Sequence, residues 1–306
     1  MATSSTNPYS FISGFVEDKN TARAIAQIDE LKEAGATDSE LLKWTGADGK
    51  WYSFDLEWHA TRVCVLQKPE LTVIAVGPAG IVVEGSSAGV QEGNIDDSED
   101  GPMRRGDIRD LRVIGKWVYA AGMSRQVYRR ERPNQWSRVD SGVVQHRGAL
   151  DVAGFNSLDG SSEKDIYAVG FAGEIWRFAN NQWKQLDSPT NMVLHRVRVV
   201  SKNLVFACGQ EGTLLRGQGD TWRHIDHDAT TEDLWGLEWF KDRLFVACDD
   251  GLFRLNDDDT LEKVDTGLGD EWTFRHLHCN DGVMFSFGPK HICWTNNAKQ
   301  WNNVTP

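Results

Sequence analysis

The sequence predicts an all-β fold, a β-propeller, and three observations carry that prediction. Residues 165–186 hold an apolar run ending in Gly170, a two-residue spacer to Gly173, a second run from Ile175 to Phe178, then Asn180, Asn181 and Trp183. Short β-favouring runs broken by Gly and Asn read as strands joined by tight hairpins. The same phrase returns at Val73–Gly77, Val118–Gly122, Leu204–Gly209, Leu244–Cys248 and Val283–Gly288. Successive copies lie 39–48 residues apart with room for four short strands each, the period of a propeller blade.

Taken in order, the chain of 306 residues divides into an N-terminal segment, 1–58, and a propeller, 59–306, with six recognisable four-stranded blades. The N-terminal segment admits two readings. Thr21 to Glu33 places Ala24, Ile25, Ile28 and Leu31 at helical spacing, which predicts an amphipathic helix, and Thr37 with Glu40 forms a capping-box pattern before Leu41, Leu42 and Trp44, which predicts a short second helix. Alternatively, Trp44, Gly46, Asp48, Gly49 and Trp51 repeat the strand–turn–Trp phrase, and the segment then contributes a seventh blade. No basic region followed by an apolar core opens the chain at Met1 to Ser13, so no export signal is expected.

The copies cover about 62–96, 107–139, 153–186, 194–225, 234–264 and 273–304. Middle strands such as Leu244 to Ala247 are continuously apolar, as strands covered on both faces are. Trp136, Trp183, Trp222 and Trp301 recur at the outer strand and read as covers over blade-to-blade seams. Trp235 departs from that pattern. It stands at the start of an inner strand, where a side chain reaches the central channel.

No stretch approaches the roughly 18 apolar residues of a membrane helix. The net charge of −12 argues against a general nucleic-acid surface and suits a basic partner. Five cysteines without CxxC spacing fit a reducing cytoplasm. His276 and His278 share one strand face near Cys279, His291 and Cys293, yet no zinc spacing is present. Asp249-Asp250 and Asp257-Asp258-Asp259 lack the calcium-loop pattern. Phosphate loops and GxSxG elbows are absent from the sequence. No metal, cofactor or catalytic residue is therefore assigned.

The phrase of an apolar run, Tyr-Ala-Val-Gly, Gly, Ile, Arg and Trp resembles the BNR-like repeats of sialidase-related propellers and photosystem assembly factors, over about 61–304. The sialidase Asp-box is decayed here. Gly219-Asp220-Thr221-Trp222 keeps only its end, and Asn296 and Ala298 replace its Asp and Gly in the last copy. The resemblance implies a propeller and says little of activity. A sialidase-like site needs arginines, and Arg62, Arg109, Arg196 and Arg275 stand on inner strands. Their simpler role is to bond neighbouring blades or line a wet channel.

A partner would meet the rim formed by the loops between second and third strands together with the blade-to-blade connections. These loops vary while their flanking strands repeat. The candidate partner-binding residues are Arg125, Phe171, Gln210, Glu211, Asp249, Asp250, Lys290 and His291, with Trp235 at the channel mouth. Connections such as Gln145-His146-Arg147 join the same rim. The function expected is a non-catalytic, cytoplasmic, monomeric binding scaffold, in its sharper form an immunity-type protein neutralising a basic toxin or effector. A glycan-binding or glycan-hydrolysing propeller is the alternative. A third reading is an assembly factor for a larger complex, which for a membrane complex would require an export signal.

Overall fold

The computed structural model describes residues 7–146 and 152–306, so Arg147 of the rim connection lies outside the described residues. Seven four-stranded antiparallel sheets follow one another along the chain. As blades 1 to 7 they span residues 9–56, 62–94, 108–138, 155–186, 194–224, 236–263 and 276–303. In each the strands lie side by side in chain order. The first strand is innermost, since first strands of neighbouring blades touch around the whole ring, the last against the first.

The six copies become blades 2 to 7, and the expected count of six is corrected to seven by the N-terminal segment. The helix expected over Thr21 to Glu33 is the strand Thr21–Ile28 followed by one helical turn, Asp29–Glu33. Ala22, Ala24, Ile25 and Ala26 are all fully buried. A strand packed on both faces needs no alternation, so its apolar residues mimic helical spacing by accident. The second expected helix is the strand Ser39–Thr45, in which Leu42 and Trp44 point inward and Trp44 faces Trp51. The strand–turn–Trp alternative is the one the fold adopts. The other α-helix among the described residues is Pro102–Arg105.

Middle strands such as Thr72–Val76 and Val283–Phe287 are buried at every residue. Cys208 and Cys248, equivalent positions in blades 5 and 6, are packed as small apolar groups, with burial pushing both thiols up. The periodic tryptophans do cover seams. Trp136 sits between blades 2 and 3, Trp183 between 3 and 4, Trp222 between 4 and 5, and Trp301 between 6 and 7.

The ring closes without strand exchange, because blades 1 and 7 are each built from their own continuous segment. Their seam is a shared apolar cluster containing Phe11, Leu42, Trp44, Phe285 and Phe287. Hydrogen bonds stitch it: Phe11 N–H to Pro289 O (2.9 Å), Trp51 Nε1–H to Val304 O (2.6 Å) and Val16 N–H to His278 Nδ1 (3.1 Å).

Candidate functional site

One position of the repeat builds the mouth of the channel. In blade 5, Leu194 faces Gly209 and Arg196 faces Cys208, so His195 is an extra residue, a β-bulge. The same bulge falls at Ile12 in blade 1, Arg109 in blade 3 and Asn156 in blade 4. Bulges re-aim a side chain out of the pleat. In blades 2, 6 and 7 the residue just ahead of the inner strand takes the place, Thr61, Trp235 and Arg275. All seven positions line one funnel of about 600 Å³. The frame repeats while this position differs in almost every blade, so the funnel is lined by dissimilar side chains, from Ile12 and Thr61 to Arg109, His195, Trp235 and Arg275.

On the aromatic side, Trp235 stacks on His195 with ring centroids 4.1 Å apart. The Arg275 guanidinium lies 4.7 Å from the Trp235 ring, and that of Arg109 lies 5.4 Å from Phe171. Burial lowers the His195 pKa, outweighing Asp233 at 3.6 Å. Lys32, carried on the short helix of blade 1, reaches the mouth from the opposite side.

Below the mouth, ion pairs cross the channel. Arg196 of blade 5 donates to Asp110 of blade 3 (2.9 Å) and contacts His276 Nδ1 of blade 7. Asp110 also accepts from Ser157 Oγ and Leu158 N, both at 3.0 Å. Burial alone would raise the Asp110 carboxyl, but the charges of Arg196 and Arg62 hold it below its usual range. Burial, then the like charge of Arg196, brings Arg62 down to about 10. Deeper still, Asp159 takes Arg112 and Arg198 (each 3.1 Å), and Arg198 pairs with Glu238 (2.7 Å). Arg196 thus has the structural role expected of inner-strand arginines, whereas Arg62, Arg109 and Arg275 line the funnel, Arg62 with Asp110 no nearer than 3.8 Å.

Phe171, Gln210 and Trp235 line the funnel. Asp249 stands behind its edge, held bidentate by Arg275 (3.1 and 2.7 Å). The remaining candidates are spread over the outer rim. Arg125 pairs with Glu174 (2.6 Å) and lies 5.3 Å from the Trp176 ring. Lys290 is tied to Asp29 and to Tyr9 O (3.1 Å), and His291 stacks on Trp272 at 4.5 Å. Glu211 and Asp250 are exposed. Sequence reasoning passed over His195 and Lys32, and it read Arg109 as frame. A signal existed: the residue after the first apolar residue of each inner strand, as in Ile108-Arg109, Leu194-His195 and Leu234-Trp235.

Exposed carboxylates stand on the loops and connections of blades 5 and 6, Glu211, Asp226, Asp228, Glu232, Asp250 and Asp270, and on the connection from blade 2 to blade 3, Asp97, Glu99 and Asp100. No group of three or more His, Cys, Asp or Glu side chains disposed to hold a metal occurs among the described residues.

Solved structures share this architecture at low identity. The WD40 propeller domain of Doa1 superposes with a TM-score of 0.68 at 11% identity, covering 95% of this chain and 94% of that one. YCF48 bound to D1 peptide gives 0.65 at 13% identity over 94% and 91% of the two chains. YCF48 from Cyanidioschyzon merolae gives 0.67 at 11% over 93% and 94%. These likenesses show the propeller fold. No family model matches the sequence. The immune protein Tsi7 of Pseudomonas aeruginosa PAO1 is 34% identical over 303 residues, 97% of each chain. Identity at that level over 97% of the chain places it in the family of the immune protein Tsi7.

Proposed function

We propose that this is an immunity-type protein that neutralises a toxin or effector domain by binding it through the funnel face. In this reading it acts as a monomer in the cytoplasm, and the exposed carboxylates on the loops of blades 5 and 6 meet a basic surface of the partner. The observation that carries the reading is the ring of unlike residues at one repeated position, Arg109, His195, Trp235 and Arg275 among them, opening among the variable loops. A rigid frame that holds dissimilar side chains in fixed places suits recognition of one asymmetric partner. The kinship with an immune protein supplies the class of partner.

The resemblance to sialidase-related repeats does not favour a glycan-active reading. Of the three arginines a carboxylate clamp on a sugar would draw on, Arg196 and Arg275 are each engaged in an ion pair, and Arg109 alone is left unpaired among the described residues.

The experiment is co-expression with the product of an adjacent gene that is toxic when expressed alone. Growth should be protected by the wild-type chain. Protection should fall when Asp228, Glu232 and Asp250 are changed together to lysine. Protection that survives this triple change, or that comes from a variant with Trp235→Ala and His195→Ala combined, would remove the funnel face from the reading.

A further inference from the structure

The mouth of this acidic chain is itself cationic. Lys32, Arg62, Arg109, Arg196 and Arg275 line the funnel against one lining carboxylate, Asp107. Asp110 and Asp249 stand behind the wall and are taken up by Arg196 and Arg275. Arg109 has no ion-pair partner among the described residues, and its buried Nε lacks a hydrogen-bond acceptor. The nearest carboxylate to Arg62 is Asp110 at 3.8 Å, already shared with Arg196, Ser157 and Leu158. Arginines crowded together with too few counter-charges are the arrangement that a bound anion relieves. A guanidinium also presents a donor fork matched to a carboxylate.

The walls narrow the class of anion. Phe171 and Trp235 line the funnel beside the arginines, and on the blade 1 side Ile12 adds an apolar side chain among Ser10, Gln27 and Lys32. A charged tip on an aliphatic stem satisfies both surfaces, with the stem against the rings and the tip between Arg109 and Arg62. A cavity of about 600 Å³ admits the tip of a loop and no folded element. We infer that the funnel receives an acidic loop of the partner protein, one Asp or Glu carboxylate seated between Arg109 and Arg62. This rests on the immunity reading above and sharpens it: the partner is basic where it meets the rim and acidic at the segment it inserts.

Two measurements test the inference and keep it separable from that reading. In the first, acetylated, amidated tri-glutamate is titrated into the full chain while the Trp235 indole N–H resonance is followed, assigned with Trp235→Phe. Tri-lysine and inorganic phosphate are the comparison arms. A saturable shift with tri-glutamate alone is expected, weakened about tenfold by Arg109→Ala, as loss of a charge-assisted hydrogen bond implies. No shift, or the same shift in Arg109→Ala, overturns the inference. A phosphate response equal to the peptide response also overturns it, because the site is then one for free small anions. Arg109→Gln, with an unfolding midpoint equal to the wild type, guards against reading a folding defect as lost binding. In the second, Arg109→Glu is tested in the co-expression assay, and lost protection is expected. Full protection by Arg109→Glu beside a protective wild type overturns the inference and leaves the immunity reading standing. A wild type that does not protect defeats that reading, while the peptide titration still decides the funnel.

Discussion

Acid should loosen the seam that closes the ring, and His278 is the group to watch. Its Nδ1 accepts the Val16 N–H at 3.1 Å, joining blade 7 to blade 1, and Phe15 packs 4.0 Å from its ring. Only the neutral imidazole, with its proton on Nε2, can accept there. Burial first, then the charges of Arg112, Arg198 and Arg196, hold its pKa well below 6.5. The unfolded chain therefore binds a proton below about pH 6.5 that the folded chain refuses. The stabilisation is fully present above that pH and is lost as pH falls. At about pH 5.5 one histidine held neutral costs on the order of 1 kcal/mol, and His276, shifted the same way, adds a similar loss. The assay is urea unfolding followed by tryptophan fluorescence between about pH 7.5 and about pH 5.5. His278→Asn places an oxygen acceptor near Nδ1 and does not titrate. Its stability should fall by roughly 1 kcal/mol less than the wild type over that range. Parallel pH curves for the two proteins would refute the argument that the seam depends on a neutral His278.

Other predictions follow from single seams. Glu84→Gln leaves Arg130 without its buried bidentate partner across blades 2 and 3 (2.9 and 2.6 Å) and should cost about 3–5 kcal/mol, whereas replacing both by methionine should be near neutral; equal losses in the single and double variants would contradict this. Val90 stands opposite Gly85 as Trp222 stands opposite Gly217, and it is 55% exposed beside Leu71 and Phe54. Val90→Trp should thus cover the one to two blade seam and raise stability by about 1–2 kcal/mol, read as a higher unfolding midpoint; a lower midpoint would show that the groove does not accept the ring. Gly14→Ala drives a methyl into the Phe287 ring at the closing seam and should cost about 1–3 kcal/mol, read by urea unfolding, with an unchanged midpoint as the contrary result. Asp110 and Asp159 have pKa values lowered, against the effect of burial, by neighbouring arginines. Their stabilisation is present above the ordinary carboxylate pKa of 3.8 and lost below it, so Asp159→Asn should flatten the acid limb of the stability curve without altering the histidine-dependent step.

The blade phrase was legible because its causes are local. Gly170, Gly173 and Trp183 serve turns and a seam within one repeat, and any repeat length that recurs exposes them. Blades 2 to 7 could be delimited to within a few residues for that reason. Blade 1 was ambiguous. Ala22 to Ala26 are buried on both faces, and a doubly covered strand loses the alternation that separates strand from helix. Which face a side chain takes at the channel mouth depends on register, and register depends on the neighbouring strand. The sequence contains Arg109, His195, Trp235 and Arg275 as scattered residues up to 166 positions apart. Their shared bulged or leading position appears only when each inner strand is paired with its second strand. The sequence by itself determined a propeller of four-stranded repeats and an acidic surface, because periodicity and composition are properties of the chain alone. The tertiary structure decided the seventh blade, the seam closed by Val16 and His278, and the cationic funnel. Each of these depends on groups brought together by ring closure, and charge crowding and burial exist only once that closure has removed water from between them.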